Sequence, residues 1–221
     1  MRHWLLAVTC MAMAGCLSHK AAPTRFFLIE PSAALHQHDM PSPAAMSPDE
    51  APAGPAPAPP PAAPASLTLG LRPFLSAKPY GQPLAYLGEN HELVFRERIH
   101  WAEPPAEVVT RAVRDAVAAS GRFQDVGDAA DMARPDLILT GEVRRFLENR
   151  TVTPAMAEVA VHIEVREARG VRLLWAGLLR ALEPVHEDTP GALSEALSEA
   201  VARIADDAAR TLAGVPLPEA P

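Results

Sequence analysis

The residues able to do covalent or metal chemistry are few and unevenly spread along the chain. Two cysteines stand at positions 10 and 16, and none follows before the last residue, 221. Intrachain disulfide frameworks, zinc fingers and thiol catalysis are thereby excluded from the body of the protein. His36-Gln37-His38-Asp39 is the one metal-like cluster in the sequence, two imidazoles and a carboxylate of the type that hold zinc or copper. It sits at the mouth of a stretch without periodicity. A cluster lacking a rigid surround is at most an adventitious site, so no metal and no cofactor is expected. The sequence contains no glycine-rich phosphate loop and no serine in a nucleophile elbow, and His100 has no partner at a triad-like spacing. An enzyme is therefore not expected. With 20 Lys and Arg against 27 Asp and Glu, a formal net charge of −7, the chain also lacks the basic balance of a nucleic-acid binder.

Cys16 has the setting of a modified residue. Arg2 supplies a positive start, Trp4 to Met13 a short apolar run, and Ala14 and Gly15 the small residues of a cleavage site, so residues 1–15 read as an export signal. No apolar run reaches the ~20 residues that a membrane-spanning helix needs. Met13-Ala14-Gly15-Cys16 resembles the lipobox of bacterial lipoproteins, with Met13 where leucine is most common. That resemblance implies cleavage between Gly15 and Cys16, a diacylglycerol on the Cys16 sulfur and acylation of the new amino terminus. A conventional signal peptide with a chance cysteine, or an uncleaved buried helix, is the alternative. Each buried acyl CH₂ contributes about 0.8 kcal/mol, so two or three chains anchor a protein durably without a helix. Leu17 and Ser18 lack the aspartate that retains lipoproteins at the inner membrane, which points by analogy to the periplasmic leaflet of the outer membrane. Residues 16–24 then form a lipidated tether.

The elements that must be held by this anchor follow from pattern. Arg25-Phe-Phe-Leu-Ile-Glu30 reads as a strand ending at Pro31. From 33 to 65 periodicity is lost; ten of the 25 residues from Pro41 to Ala65 are proline, and most of the others are alanine. Such a segment cannot bury enough apolar surface to fold and favours polyproline II. It reads as a disordered spacer or inserted loop, or alternatively as a ligand for a proline-binding module or the cell wall. Leu67, Leu69 and Leu71 alternate with Thr68 and Gly70 as a half-buried strand. A short strand is expected at 84–87 and another over 92–101, with Leu93, Phe95 and Ile99 inward and Arg96 and Arg98 outward. Pro104-Pro105 opens a helix whose buried stripe is Val109, Ala112, Val113, Ala116 and Val117, stopping at Gly121.

In the second half, Leu137 to Leu147 is a strand. Val159, Val161, Ile163 and Val165 alternate with Glu158, His162, Glu164 and Arg166 in another, and Arg169-Gly170 turns into a third over 171–182. Thr189-Pro190 caps a helix with Leu193, Leu197, Val201, Ile204, Ala208 and Leu212 on one face, ending at Gly214. Strands segregated against two helices predict an α+β two-layer sandwich with a mostly antiparallel sheet. Residues 25–215 form one domain on this reading, interrupted by the 33–65 insertion and followed by a 216–221 tail.

"FFLIEP" (26–31), "LTLGLRPFL" (67–75), "YGQPLAYLGENHELVFRERIHWAEPP" (80–105) and "PDLILTGEVRRFLE" (135–148) occur in an order that resembles the ABC-transporter auxiliary lipoproteins, the PqiC-like group. Trp101-Ala-Glu-Pro104 and Gly141-Glu-Val-Arg144 with Phe146 are the nearest matches. The resemblance implies function by contact. Such a protein is an outer-membrane subunit docking a periplasmic MCE-domain assembly, with its permease and ATPase, in a system that moves lipids between membranes. A ring of identical copies is also implied. Two rivals stand beside it: a lipid-carrying module of the same envelope, and a lipoprotein that activates cell-wall synthases.

Candidate contact residues are Trp101, either an interface anchor or a plug at the base of the core, and Arg144. Arg144-Arg145 with Arg150 can meet lipid head groups or an acidic partner. Strict alternation, however, puts Arg144 on the face of Phe146 and Arg145 on the other. Trp175 is expected in the core, and Asp206-Asp207 and Glu187-Asp188 are ordinary exposed or capping carboxylates. Replacing Cys16 by serine is expected to abolish incorporation of labelled palmitate and to release the protein from the membrane fraction. Equal labelling of the variant would overturn the anchor.

Overall fold

Alternation of Val159, Val161, Ile163 and Val165 with polar neighbours makes one apolar stripe that a pleated strand presents to a single side. In the computed structural model, which describes residues 23–31, 65–169 and 172–218, these four are buried in the centre of β8 (Met156–Glu167). Beside it runs β7 (Leu137–Asn149), the longest strand, with partners on both edges. Along one edge β7 pairs antiparallel with β8, and β8 pairs antiparallel with β9 (Leu173–Pro184). Along the other it takes three short parallel strands in succession. These are β2 (Ala65–Leu71) at Leu137–Leu139, β3 (Leu75–Ser76) at Glu142–Val143 and β4 (Pro83–Leu87) at Glu148–Asn149. β6 (Phe123–Asp128) extends β2 in parallel, β5 (Leu93–Trp101) extends β4 antiparallel, and β1 (Arg25–Phe27) adds parallel to β5. The nine strands form one mixed sheet, in which the long pairings are antiparallel and the short ones mostly parallel.

Two helices cover one side. α1 (Pro105–Ala119) begins on proline, whose missing N–H costs nothing in the first turn, and its Ser120 C-cap is followed by Gly121 at φ 64°, the left-handed stop that glycine adopts freely. α2 (Pro190–Gly214) is capped by the Thr189 hydroxyl, which accepts from Ala192 N–H at 3.1 Å. Its predicted stripe, Leu193, Leu197, Val201, Ile204, Ala208 and Leu212, is fully buried, and the small alanines between let it lie close on α1 and on β8 and β9. Val109, Val113 and Val117 bury the facing side of α1. The α+β two-layer sandwich is the observed architecture. The 33–65 insertion lies, apart from Ala65, outside the described residues.

Two strands escape the pattern, β3 because it has only two residues and β6 because Gln, Asp and Gly break its alternation. The facing of the first half of β5 is corrected, Leu93 and Phe95 lying away from the core and Arg96 on the side of Leu84. Phe95 is 40% exposed, because the β4–β5 register sets Leu84 opposite Arg96 and Ala85 opposite Phe95. Leu84 turns into the helix-covered core, so Phe95 turns away from it. The register slips between Pro83 and Leu84, which restores Trp101 to the core side.

Beyond β1 the chain leaves the sheet and is held by α2 instead. The Ser194 hydroxyl donates to Leu28 O, and the Ser198 hydroxyl accepts from Glu30 N–H at 3.0 Å. Ile29 between them is buried in the core. At the other end of the sheet, Asp136 clamps β2 to the start of β7: its Oδ2 accepts from Thr68 N–H at 2.9 Å and from the Thr68 hydroxyl at 2.8 Å, while its own N–H donates to Thr68 Oγ1 at 3.1 Å. The backbone and hydroxyl donors of Thr68 hold the Asp136 carboxyl below its usual 3.8. A carboxyl depressed in the folded state stabilises the fold above the unfolded value and loses that contribution as pH falls through the folded value. Asp136→Asn is thus expected to be less stable than the wild type at neutral pH and to lose less stability on acidification below about pH 4, read by urea unfolding across a pH series.

Candidate docking face

The helices cover one side of the sheet; the described residues place no helix on the other. On that open side a bulge decides what is presented. Val143 pairs with Val161 and Arg145 with Ala160, so Arg144 is the extra residue. Val143 and Phe146 therefore both point into the core, whereas Arg144 and Arg145 both point out. Strict alternation had divided the two arginines; the bulge unites them. With Arg180 of β9, Glu158 and Ala160 of β8 and Leu178, they line an open cleft of about 260 Å³.

Glu158 organises this cleft. Its side chain is fully buried although it faces the helix-free side. Both oxygens accept from Arg145 Nη1, at 3.2 and 3.3 Å; Oε1 accepts from Arg180 Nε at 3.1 Å and Oε2 from Asn149 Nδ2 at 3.1 Å. Arg180 Nη2 lies 2.9 Å from the same Oε1. A buried carboxylate is costly unless its oxygens are filled, and here five contacts from three side chains fill them. The two guanidinium groups stay half-exposed, so their remaining N–H groups face solvent. Tyr80, on the β3–β4 loop, adjoins the cluster: burial pushes its phenol up, the Arg145 charge opposes that and the Glu158 charge reinforces it. Arg144 is bonded to Glu142, Nε to Oε2 at 3.1 Å, and is exposed. Leu178 and Leu182, both exposed, stand beside the arginines on β9. The result is an arginine-rich, leucine-flanked sheet face, suited to contact.

The other sequence-level candidates fall elsewhere. Trp101 is corrected from interface anchor to core plug: at 1% exposure, edge-on to Phe146 with ring centroids 5.8 Å apart, it offers no surface to a partner. Trp175 packs against the core with its ring over Gly177, where a Cβ would come within 2.5 Å of it. Arg150 is separated from Arg144 and Arg145. It donates to Glu148 Oε2 at 2.8 Å and Asp188 Oδ1 at 2.5 Å and lies 4.8 Å from the Tyr86 ring centroid, so Asp188 is an ion-pair partner of Arg150 and, at 3.6 Å, of Arg96. His100 contacts Glu97 O at 3.1 Å and the Phe26 ring, not a triad. Gly15, Cys16 and the His36–Asp39 cluster lie outside the described residues. Among the described residues no group of three metal-type ligands converges, and no helix is long and apolar enough to cross a membrane. Glu158 and Arg180 were missed in the sequence because their meeting depends on strand register, Arg180 standing opposite Ala160.

A family model described as "ABC-type transport auxiliary lipoprotein component" matches residues 51–209. The chain belongs to that family. It is thus a lipoprotein component of an ABC-type transport system. Solved structures are similar to this chain at low identity, two of them with TM-scores above 0.5. Protein XCC0632 of Xanthomonas campestris is 20% identical with a TM-score of 0.59, covering 66% of this chain and 84% of that one. An uncharacterized protein is 12% identical with a TM-score of 0.56, covering 68% and 95%. The hypothetical protein CT253 of Chlamydia trachomatis is 9% identical with a TM-score of 0.49, covering 68% and 97%. No curated protein matches the sequence.

The charge asymmetry at Glu158 gives a stability prediction for this auxiliary lipoprotein. Arg145→Ala with Arg180→Ala strands a buried carboxylate and is expected to cost about 3–5 kcal/mol in urea unfolding. Glu158→Gln frees two half-exposed guanidinium groups that water can solvate, and is expected to cost only about 1–2 kcal/mol. Equal losses would show that Glu158 does not organise the face.

Proposed function

We propose that this protein is the outer-membrane lipoprotein subunit of an ABC/MCE-type transport system, a non-catalytic adaptor anchored through Cys16 and facing the periplasm. On this reading it docks the periplasmic MCE-domain assembly, with its permease and ATPase, to the outer membrane for intermembrane lipid trafficking and envelope integrity. The observation that carries the reading is the helix-free sheet face, where the bulge at Arg144 gathers arginines between exposed leucines in a chain whose family serves ABC-type transport. Arginine flanked by apolar side chains is a composition enriched at protein interfaces. The surrounding sheet is rigid, with Val159, Val161 and Phe146 fully buried behind it, so the face is held in place before a partner arrives. The absence of aspartate at positions 17 and 18 supports the outer over the inner membrane. Arg144 is the residue to test, because it is exposed and bonded to Glu142 and not to Glu158, so its loss spares the Glu158 cluster.

The purified, lipidated chain is expected to capture an MCE-domain protein encoded beside it. Arg144→Glu is expected to weaken that capture by about tenfold with unchanged melting, a change equivalent to about 1.4 kcal/mol. Failure of the wild-type chain to bind, together with stoichiometric lipid co-purifying in the chain itself, would replace the adaptor by a lipid carrier.

A further inference from the structure

β1 and the residues just after it carry an exposed apolar surface. Residues 26–29 alternate: Phe27 and Ile29 pack into the core, while Phe26 and Leu28 point outward at 61% and 56% exposure. Large hydrophobic side chains this exposed on a short edge strand ordinarily meet another phase or molecule. Their surroundings narrow the choice. Phe26 pairs across the strands with His100 and meets its ring edge-on at 5.8 Å; Arg25, exposed, lies over Phe27 at 5.2 Å; Arg98, also exposed, is two residues along β5 from His100. An exposed aromatic ring and leucine at an edge that also carries arginines is the composition of a membrane interface, where apolar groups enter the acyl boundary and guanidinium groups meet phosphates.

The chain preceding β1 says which partner lies within reach. Eight residues, Leu17 to Thr24, separate Cys16 from Arg25, and fully extended they span about 30 Å at most. From Cys16 to Ile29 the sequence carries Lys20 and Arg25 and no carboxylate, in a chain of net charge −7. The first acid is Glu30; with Glu195 and Glu199 it lines the groove beyond Leu28 and limits the basic surface on that side.

We propose that Phe26 and Leu28, with Arg98 near them along β5 and Arg25 at the same edge, rest in the head-group layer of the membrane that holds the acylated Cys16, so that the sheet meets the bilayer by its β1 edge. The inference rests on the anchor reading of Cys16 and adds to it an orientation. β9, five strand spacings away across the sheet, or about 24 Å, is carried clear of the lipid.

The mature lipidated protein offers a clean test, since with Cys16 acylated and Cys10 removed with the signal it has no free thiol. Single cysteines at 26, 28 and 178 (Phe26→Cys, Leu28→Cys, Leu178→Cys), each carrying an environment-sensitive nitrobenzoxadiazole label, are reconstituted into phosphatidylethanolamine–phosphatidylglycerol vesicles with and without nitroxide-labelled lipid. Labels at 26 and 28 are expected to shift to the blue and to lose about half of their emission to the nitroxide, as side chains seated at the acyl boundary do, while the label at 178 is unaffected. Protein that floats with the vesicles but shows the same unquenched emission at all three positions overturns the proposal and leaves the anchor standing. Protein that does not float overturns the anchor, and the orientation with it.

Discussion

A thirteen-residue strand buried inside a sheet must find hydrogen-bond partners along both of its edges, and much of this fold follows from how β7 meets that demand. One edge is filled by a single long antiparallel neighbour. The other is filled in three instalments, by β2, β3 and β4, all running the same way as β7. Parallel neighbours cannot be joined by tight turns, so the chain must cross over between them. From β4 to its parallel neighbour β7 the chain runs through β5, α1 and β6, and that places α1 against α2 over the same face. Phe74, between β2 and β3, lies flat over Gly141 of β7, where a Cβ would come within 2.6 Å of the ring; the close approach of these two segments depends on that missing side chain.

The same strand sets the chemistry of the open face. One extra residue at Arg144 re-aims everything after it: Phe146 returns to the core, and two consecutive arginines leave it together. Glu158 then fixes Arg145 and Arg180 by contacts on both carboxylate oxygens, which leaves Arg144 as the freer cation of the three. A buried ion cluster of this kind is weak evidence of added stability, since an apolar replacement of the same shape often does as well. What it supplies is a defined position for two charges on a face that would otherwise be plain sheet.

Legibility in the sequence tracked periodicity. α2 and β8 were readable residue by residue because a helical stripe and a strict alternation each extend over many positions. The caps at Thr189 and Gly121 were readable because few residue types meet those backbone demands. β3 and β6 were not, being too short in one case and too rich in Gly and Asp in the other. Facing failed at two of the slipped ladders, at Phe95 beside the β4–β5 shift and at Arg144 in the bulge, since both violate the period of two on which such readings depend. Trp101 could be narrowed only to two roles, and burial chose between them. The Glu158 cluster joins residues 13 and 22 positions apart through register, which no local pattern encodes.

The serine pair on α2 has a mechanical meaning. Residues 25–27 are stitched to β5, Ala102 N–H donates to Phe27 O, and Ser194 and Ser198 grip the next three residues from a helix that lies near the far end of the chain. Tension arriving through the N-terminus is therefore shared among attachment points drawn from the early, middle and late chain, instead of unzipping one edge. A shearing load on several bonds at once is resisted far better than a peeling load taken by one bond after another, so a pull on residue 25 meets the whole body and not one edge of it.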